Sequence, residues 1–121
     1  MKRITVILPV FNQSSFVRCA IMSVLRQSCA DWELLVIDDG SAEDIKSVIA
    51  DYLKDSRITY YRNAQNEGLG YTLNRGISLA KGQYIAYLPA DDIYFEDHLG
   101  SLLQTIETEN ADFAYSGIVH S

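Results

Sequence analysis

Three polar clusters in this chain follow apolar runs. They are Pro9-Val10-Phe11-Asn12 after residues 4–8, Asp38-Asp39-Gly40-Ser41 after residues 33–37, and Asp91-Asp92 after residues 84–88. The adjacent carboxylates carry the most chemistry. Two held a few ångströms apart repel, and they are costly to desolvate unless a cation or a donor sits between them. A divalent metal carrying a phosphate ligand is therefore the natural resident of Asp91-Asp92, and hard carboxylate oxygens suit Mg²⁺ or Mn²⁺. If the three clusters converge, they form a site larger than a lone ion needs. A nucleotide has that size: an aromatic ring for the base, a carboxylate for a base N–H, and carboxylates with metal for the diphosphate.

The elements that must position these residues alternate along the chain. Residues 4–8 form a β-rich run that Pro9 is expected to stop. Ser14 or Ser15 can cap a helix whose apolar face holds Phe16, Cys19, Ala20, Ile21, Val24 and Leu25. Residues 33–37 read as a second strand, with Trp32 packing beneath it, 43–53 as a helix and 57–62 as a strand. A polar loop over 63–70 leads to a helix over 71–80 with Gly82 in its C-cap region. A strand buried on both faces, 84–88, a helix over 95–108 and a strand over 112–115 complete the pattern. This order predicts an α/β fold, a Rossmann-like α/β/α sandwich around a mostly parallel sheet. In such sheets ligands sit beyond the carboxyl ends of the strands, where all three clusters fall.

Composition narrows the classes. The chain has 121 residues, enough for one domain with a sizeable core. The net charge of −6 argues against a nucleic-acid or anionic-membrane surface, which needs a clustered basic face. It does not exclude an anionic ligand, because a metal and helix N-termini supply local positive potential. Cys19 and Cys29 have no CxxC or Cys/His partner and read as reduced packing residues. His98 and His120 lack ligand-like neighbours. No signal peptide or membrane-spanning run is visible, so a cytoplasmic protein is expected, with membrane association left open for a longer chain.

Several nucleotide-binding signatures are missing. There is no GxGxxG after the first strand and no GxxxxGK[ST]. Taken alone, Asp38-Asp39-Gly40-Ser41 also describes a turn and Asp91-Asp92 a helix cap. Their joint pattern says more. The chain carries Val6-Ile7-Leu8-Pro9-Val10-Phe11-Asn12, Ser23-Val24-Leu25-Arg26-Gln27-Ser28 and Glu33-Leu34-Leu35-Val36-Ile37-Asp38-Asp39-Gly40-Ser41. It continues with Asn66-Glu67-Gly68-Leu69-Gly70, Leu73-Asn74-Arg75-Gly76-Ile77, and Ala80-Lys81-Gly82-Gln83-Tyr84-Ile85-Ala86-Tyr87-Leu88 before Asp91-Asp92. In this order and spacing it resembles the nucleotide-sugar-binding half of a family 2 glycosyltransferase of the GT-A fold.

The resemblance implies roles. Pro9 and Phe11 would line the base, with the aromatic ring stacking on it, and Asn12, Gly68 and Asn74 would be further nucleotide-binding positions. Asp39 would accept the N3–H of a uracil-type base, with Asp38 structural or beside the ribose. Asp91 would face the ribose and share the metal, and Asp92 would be the direct ligand of Mn²⁺ or Mg²⁺. Pro89 stands where many relatives carry an aspartate, so the last two carboxylates are expected to suffice. The donor would be a nucleotide-diphospho-sugar, with UDP- or dTDP-sugars favoured. The acceptor would be a saccharide, lipid-linked or protein hydroxyl, and the transfer inverting. The general base is expected beyond Ser121, so residues 1–121 would hold the donor, with the acceptor-binding half absent. A non-catalytic nucleotide-sugar-binding or interaction module of the same fold is the alternative.

Overall fold

A computed structural model describes residues 4–27 and 30–90. The strands are β1 Ile4–Val10, β2 Trp32–Asp38, β3 Ile58–Arg62 and β4 Tyr84–Tyr87. The helices are α1 Ser14–Leu25, α2 Ile45–Val48 and α3 Leu69–Leu79, with a 3₁₀ turn at Tyr52–Lys54. The strands pair in parallel in the order β3-β2-β1-β4. The expected alternating parallel architecture is present over these residues. The helix over 95–108, the strand over 112–115 and Cys29 lie outside them.

Side-chain alternation divides the core in two. Ile4, Val6, Leu8 and Val10 of β1 join Trp32, Leu34 and Val36 of β2 against Val17, Ala20, Ile21 and Val24 of α1 and Ile45 of α2. Ile7, Leu35 and Ile37 point to the opposite face, where Leu73 and Leu79 of α3 cover them. The handedness of parallel crossovers accounts for this. The chain steps from β1 to β2 to β3 in one direction, then returns across the sheet to β4, so α3 falls on the other side. Close approach of α3 rests on Gly76, where a Cβ would come within 2.8 Å of the Ile7 side chain.

Five expectations need correction. First, β1 does not stop at Pro9 but runs to Val10, all seven residues buried. Ile7 faces β4, since its carbonyl accepts the Leu88 N–H at 3.0 Å. Pro9 comes next on that side without an N–H to offer, so β1–β4 pairing ends at Ile7 opposite Tyr87 while pairing with β2 continues. The proline therefore parts two strands at their carboxyl ends instead of ending one.

Second, Phe16 and Cys19 of α1 are exposed, and Val17 takes their place on the core face with Ala20, Ile21 and Val24. Cys19 is thus not a packing residue. Third, the helix expected over 43–53 is one short helix and a 3₁₀ turn. The Asp44 side chain accepts the Ser47 N–H to start α2, and the bonds Tyr52 N–H to Ile49 O and Leu53 N–H to Ala50 O tighten the next turn. The β-branched run Ile45, Val48, Ile49 propagates a helix weakly.

Fourth, Gly82 is no C-cap, since α3 ends at Leu79 with Ala80 extended. Gly82 packs on β1, where a Cβ would lie 2.7 Å from the Thr5 nitrogen, and its N–H donates to Thr5 Oγ1 at 2.9 Å. Fifth, β4 is only half-buried at Tyr84, Ile85 and Tyr87, with Ala86 alone enclosed. Trp32 does pack at the start of β2, buried under the Arg57 guanidinium 3.9 Å from a ring centroid. No helix among the described residues is long and apolar enough to cross a membrane.

Candidate functional site

The carboxyl ends of β1 and β2 carry two loops that clamp each other. Asn12 adopts a left-handed backbone, φ +52°, which asparagine tolerates better than most residues. In that conformation its N–H donates to Ser41 Oγ at 2.9 Å, and its Oδ1 accepts the Ala42 N–H at 2.8 Å. The Ser14 N–H adds a bond to Glu43 Oε1 at 3.0 Å. Between these anchors, the Phe11 N–H donates to Gln13 Oε1 at 3.2 Å.

Asp38 and Asp39 are adjacent, so their side chains leave the strand end on opposite faces. Asp38 accepts the Ser41 N–H at 2.9 Å and the Tyr60 hydroxyl at 2.7 Å. Burial, then that bond to a carboxylate, pushes the Tyr60 phenol well above its ordinary range. Asp39 turns toward α3. Its Oδ1 accepts from Asn63 Nδ2 at 2.8 Å and the Glu67 N–H at 2.8 Å, and its Oδ2 from Asn66 Nδ2 at 3.0 Å and the Gly68 N–H at 3.0 Å. Burial alone would raise its pKa. The donors from Glu67, Asn63 and Gly68 outweigh burial and hold the carboxyl below its usual value.

The loop that Asp39 gathers is built for that contact. Gly68 caps α3 at φ +96°, a conformation that favours glycine, so its N–H and that of Glu67 both reach the carboxylate. The Asn63 amide donates to Thr72 Oγ1 at 3.0 Å as well as to Asp39, and its oxygen accepts from Arg75 Nη1 at 2.7 Å. Gly40, at φ +73°, lets the β2 loop lie directly on Gln65 and Asn66.

Where β1 and β4 part, a pocket of about 200 Å³ opens, lined by Pro9, Val10, Gln13, Asp39, Leu69, Thr72, Tyr87, Pro89 and Ala90. Of the residues singled out from sequence for nucleotide contact, Pro9 and Asp39 line it. Phe11 is 43% exposed in the neighbouring loop. Asn12 and Asp38 are engaged in loop clamping, Gly68 supports Asp39, and Asn74 is exposed on α3 away from the lining. Asp91 and Asp92 lie outside the described residues. Among the described residues no three of His, Cys, Asp or Glu gather as a metal site. Gln13, Leu69, Thr72 and Tyr87 were not anticipated as lining. Thr72 had a usable signal, lying on the first turn of a helix that starts at a glycine.

A parallel sheet opening onto a pocket at a strand-order reversal is where open α/β domains place their ligands, and comparison with known proteins narrows the class. The sequence model of glycosyl transferase family 2 matches residues 5–121. An uncharacterized glycosyltransferase of Rickettsia conorii is 40% identical over 114 residues, which are 94% of this chain and 19% of that protein. A UDP-Glc:alpha-D-GlcNAc-diphosphoundecaprenol beta-1,3-glucosyltransferase of Escherichia coli is 32% identical over 112 residues, 93% of this chain and 44% of its own length. The crystal structure of S. aureus TarS in complex with UDP shares the fold, with a TM-score of 0.82 at 20% identity over 89% of this chain and 33% of that one. The chain belongs to glycosyl transferase family 2 and has the GT-A fold. It spans less than half the length of these relatives.

Proposed function

We propose that this chain is the donor-binding part of a glycosyltransferase that moves a sugar from a nucleotide-diphospho-sugar, UDP- or dTDP-linked, to a saccharide, lipid-linked or protein acceptor. The observation that carries this reading is Asp39, an ionised carboxylate in the pocket at the strand ends and at the N-terminus of α3. Such a group accepts the ring N–H of a uracil-type base. A carboxylate offers about four lone-pair directions, and Asp39 has four protein donors. Two are backbone N–H groups and one is the buried Asn63 amide. The fourth belongs to the exposed Asn66, and the base N–H takes its place.

Pro9 and Tyr87 give the base its walls, and Phe11 is exposed and available to stack on it. Asn12 and Gly68 serve by holding the loops that carry these groups, whereas Asp38 ties Ser41 and Tyr60 on the opposite face of the strand end. Asp92, with Asp91, would hold Mg²⁺ or Mn²⁺, an ion that supplies Lewis-acid stabilisation to a departing diphosphate. Transfer is a single inverting displacement performed by the whole protein, with this chain alone retaining donor binding but not turnover. The lipid-linked substrate named for the Escherichia coli relative favours an acceptor of that kind, met at the cytoplasmic surface of a membrane.

Calorimetry of the whole protein with UDP, with and without Mn²⁺, tests the reading. UDP binding strengthened by Mn²⁺, reduced about tenfold or more by Asp39→Asn and deprived of its metal dependence by Asp92→Asn, is the expected result. No UDP binding, or binding indifferent to Asp39→Asn, overturns it.

A further inference from the structure

We infer that Gln13 selects the base: its side-chain NH₂ donates to the ring carbonyl beside the N–H that Asp39 accepts. The inference rests on the nucleotide reading above and names the recognition pattern. Gln13 and Asp39 line the same pocket from different elements, the start of α1 and the end of β2. Gln13 is the N-cap residue of α1, yet its side chain makes no capping bond. Its oxygen instead accepts the Phe11 N–H.

That bond fixes which end of the amide is which. A flipped amide would set NH₂ against an N–H, so the oxygen stays with Phe11 and the donor end is left over. No acceptor among the described residues takes it. The backbone beneath is held on both sides, by the Asn12 clamp to Ser41 and Ala42 and by the Ser14 bond to Glu43. The Asp39 N–H donates to Val10 O at 2.8 Å, which ties the two walls together.

A donor beside an acceptor reads a ring carbonyl next to a ring N–H. Uracil and thymine present that edge as O4 beside N3–H, and guanine as O6 beside N1–H, whereas on the same edge cytosine and adenine present an amino group beside a bare ring nitrogen. O2, which uracil and cytosine share, is not the carbonyl that Gln13 reads. A pocket of about 200 Å³ suits the single ring. Gln13 thus favours uridine- and thymidine-type donors over cytidine-type ones.

The test is the ratio of UDP to CDP affinity in the whole protein with Mn²⁺. The wild type prefers UDP. Gln13→Ala weakens UDP about tenfold and leaves CDP nearly unchanged, the scale of one hydrogen bond. Gln13→Glu, an acceptor of the same shape, narrows the ratio at least as far and serves as the second variant. Equal losses for UDP and CDP indicate a structural role and overturn the inference, as does an unchanged ratio in both variants. If UDP binds the wild type but the ratio does not respond, this inference alone fails. If UDP does not bind the wild type, the nucleotide reading fails with it.

Discussion

Asn63 donates its amide to Asp39 Oδ1 at 2.8 Å while its own oxygen takes Arg75 Nη1 at 2.7 Å. The order of the three residues matters. Arg75 fixes the orientation of a buried amide, and that amide then presents a donor to the carboxylate in the pocket. Arg75 is itself held by the Arg62 carbonyl at 3.0 Å and lies 5.6 Å from the Tyr61 ring centroid. The end of β3, the start of α3 and the end of β2 are thereby joined through one side chain.

Removing that side chain leaves a buried carboxylate short of a donor and an arginine short of an acceptor. Asn63→Ala is expected to lower unfolding stability by about 1–3 kcal/mol, the cost of stranding buried polar groups. Denaturant titration measures it. A change within about 0.5 kcal/mol, ordinary for a surface substitution, would remove Asn63 from this role.

The depressed pKa of Asp39 has a pH signature with a defined sign. As pH falls, the unfolded chain takes up a proton on this carboxyl before the folded chain does, so folding loses stability. The contribution is present in full above the unfolded value near 3.8 and disappears as pH drops through the lower folded value. The stability difference between wild type and Asp39→Asn should therefore be widest at neutral pH and shrink in strongly acid solution. A difference constant with pH would mean that the carboxyl is not held ionised by its donors.

Much of this architecture is legible in the sequence, and the remainder is hidden for physical reasons. Parallel pairing follows from apolar runs alternating with helical patterns, and Asp39 stands out as a carboxylate at a strand end. Its donors do not, because Asn63, Asn66, Glu67 and Gly68 lie 24 to 29 residues away and meet it only after α2 and β3 have been laid down. The face of α1 is ambiguous because apolar residues at 16, 17, 20, 21, 24 and 25 fit two neighbouring stripes. Packing against β1 chooses the stripe with Val17. Pro9 reads as a strand stop because sequence alone does not say which neighbour its missing N–H would have faced.

Gly40 makes a backbone test of the same architecture. A Cβ there would stand 2.4 Å from the Gln65 carbonyl carbon and 2.6 Å from the Asn66 nitrogen, with φ already at +73°. Both obstacles are backbone, so no side chain can swing aside. Gly40→Ala is expected to destabilise the protein by about 2–4 kcal/mol, combining left-handed strain with the clash. It should also displace the loop that supplies two backbone donors to Asp39, weakening UDP binding in whatever fraction remains folded. Thermal unfolding and calorimetry together read both effects, and a variant as stable as wild type would show that Gly40 does not lie against the Gln65 and Asn66 backbone.

Asn66 separates support from recognition. Its amide meets Asp39 Oδ2 at 3.0 Å from an exposed side chain, whereas the Glu67 and Gly68 donors are backbone and cannot leave without moving the loop. If a base N–H replaces this amide, Asn66→Ala removes a competitor and UDP affinity should hold steady or rise a few-fold. If instead the amide is needed to orient the carboxylate, affinity should fall. Asp38→Asn is the companion measurement, because that carboxylate serves Ser41 and Tyr60 on the opposite side of the strand end. It should cost stability while leaving UDP affinity of the folded protein within about twofold, since no bond it makes reaches the pocket. A tenfold loss of UDP affinity in stable Asp38→Asn would place the ligand on the other side of β2, and the pocket assignment would fall.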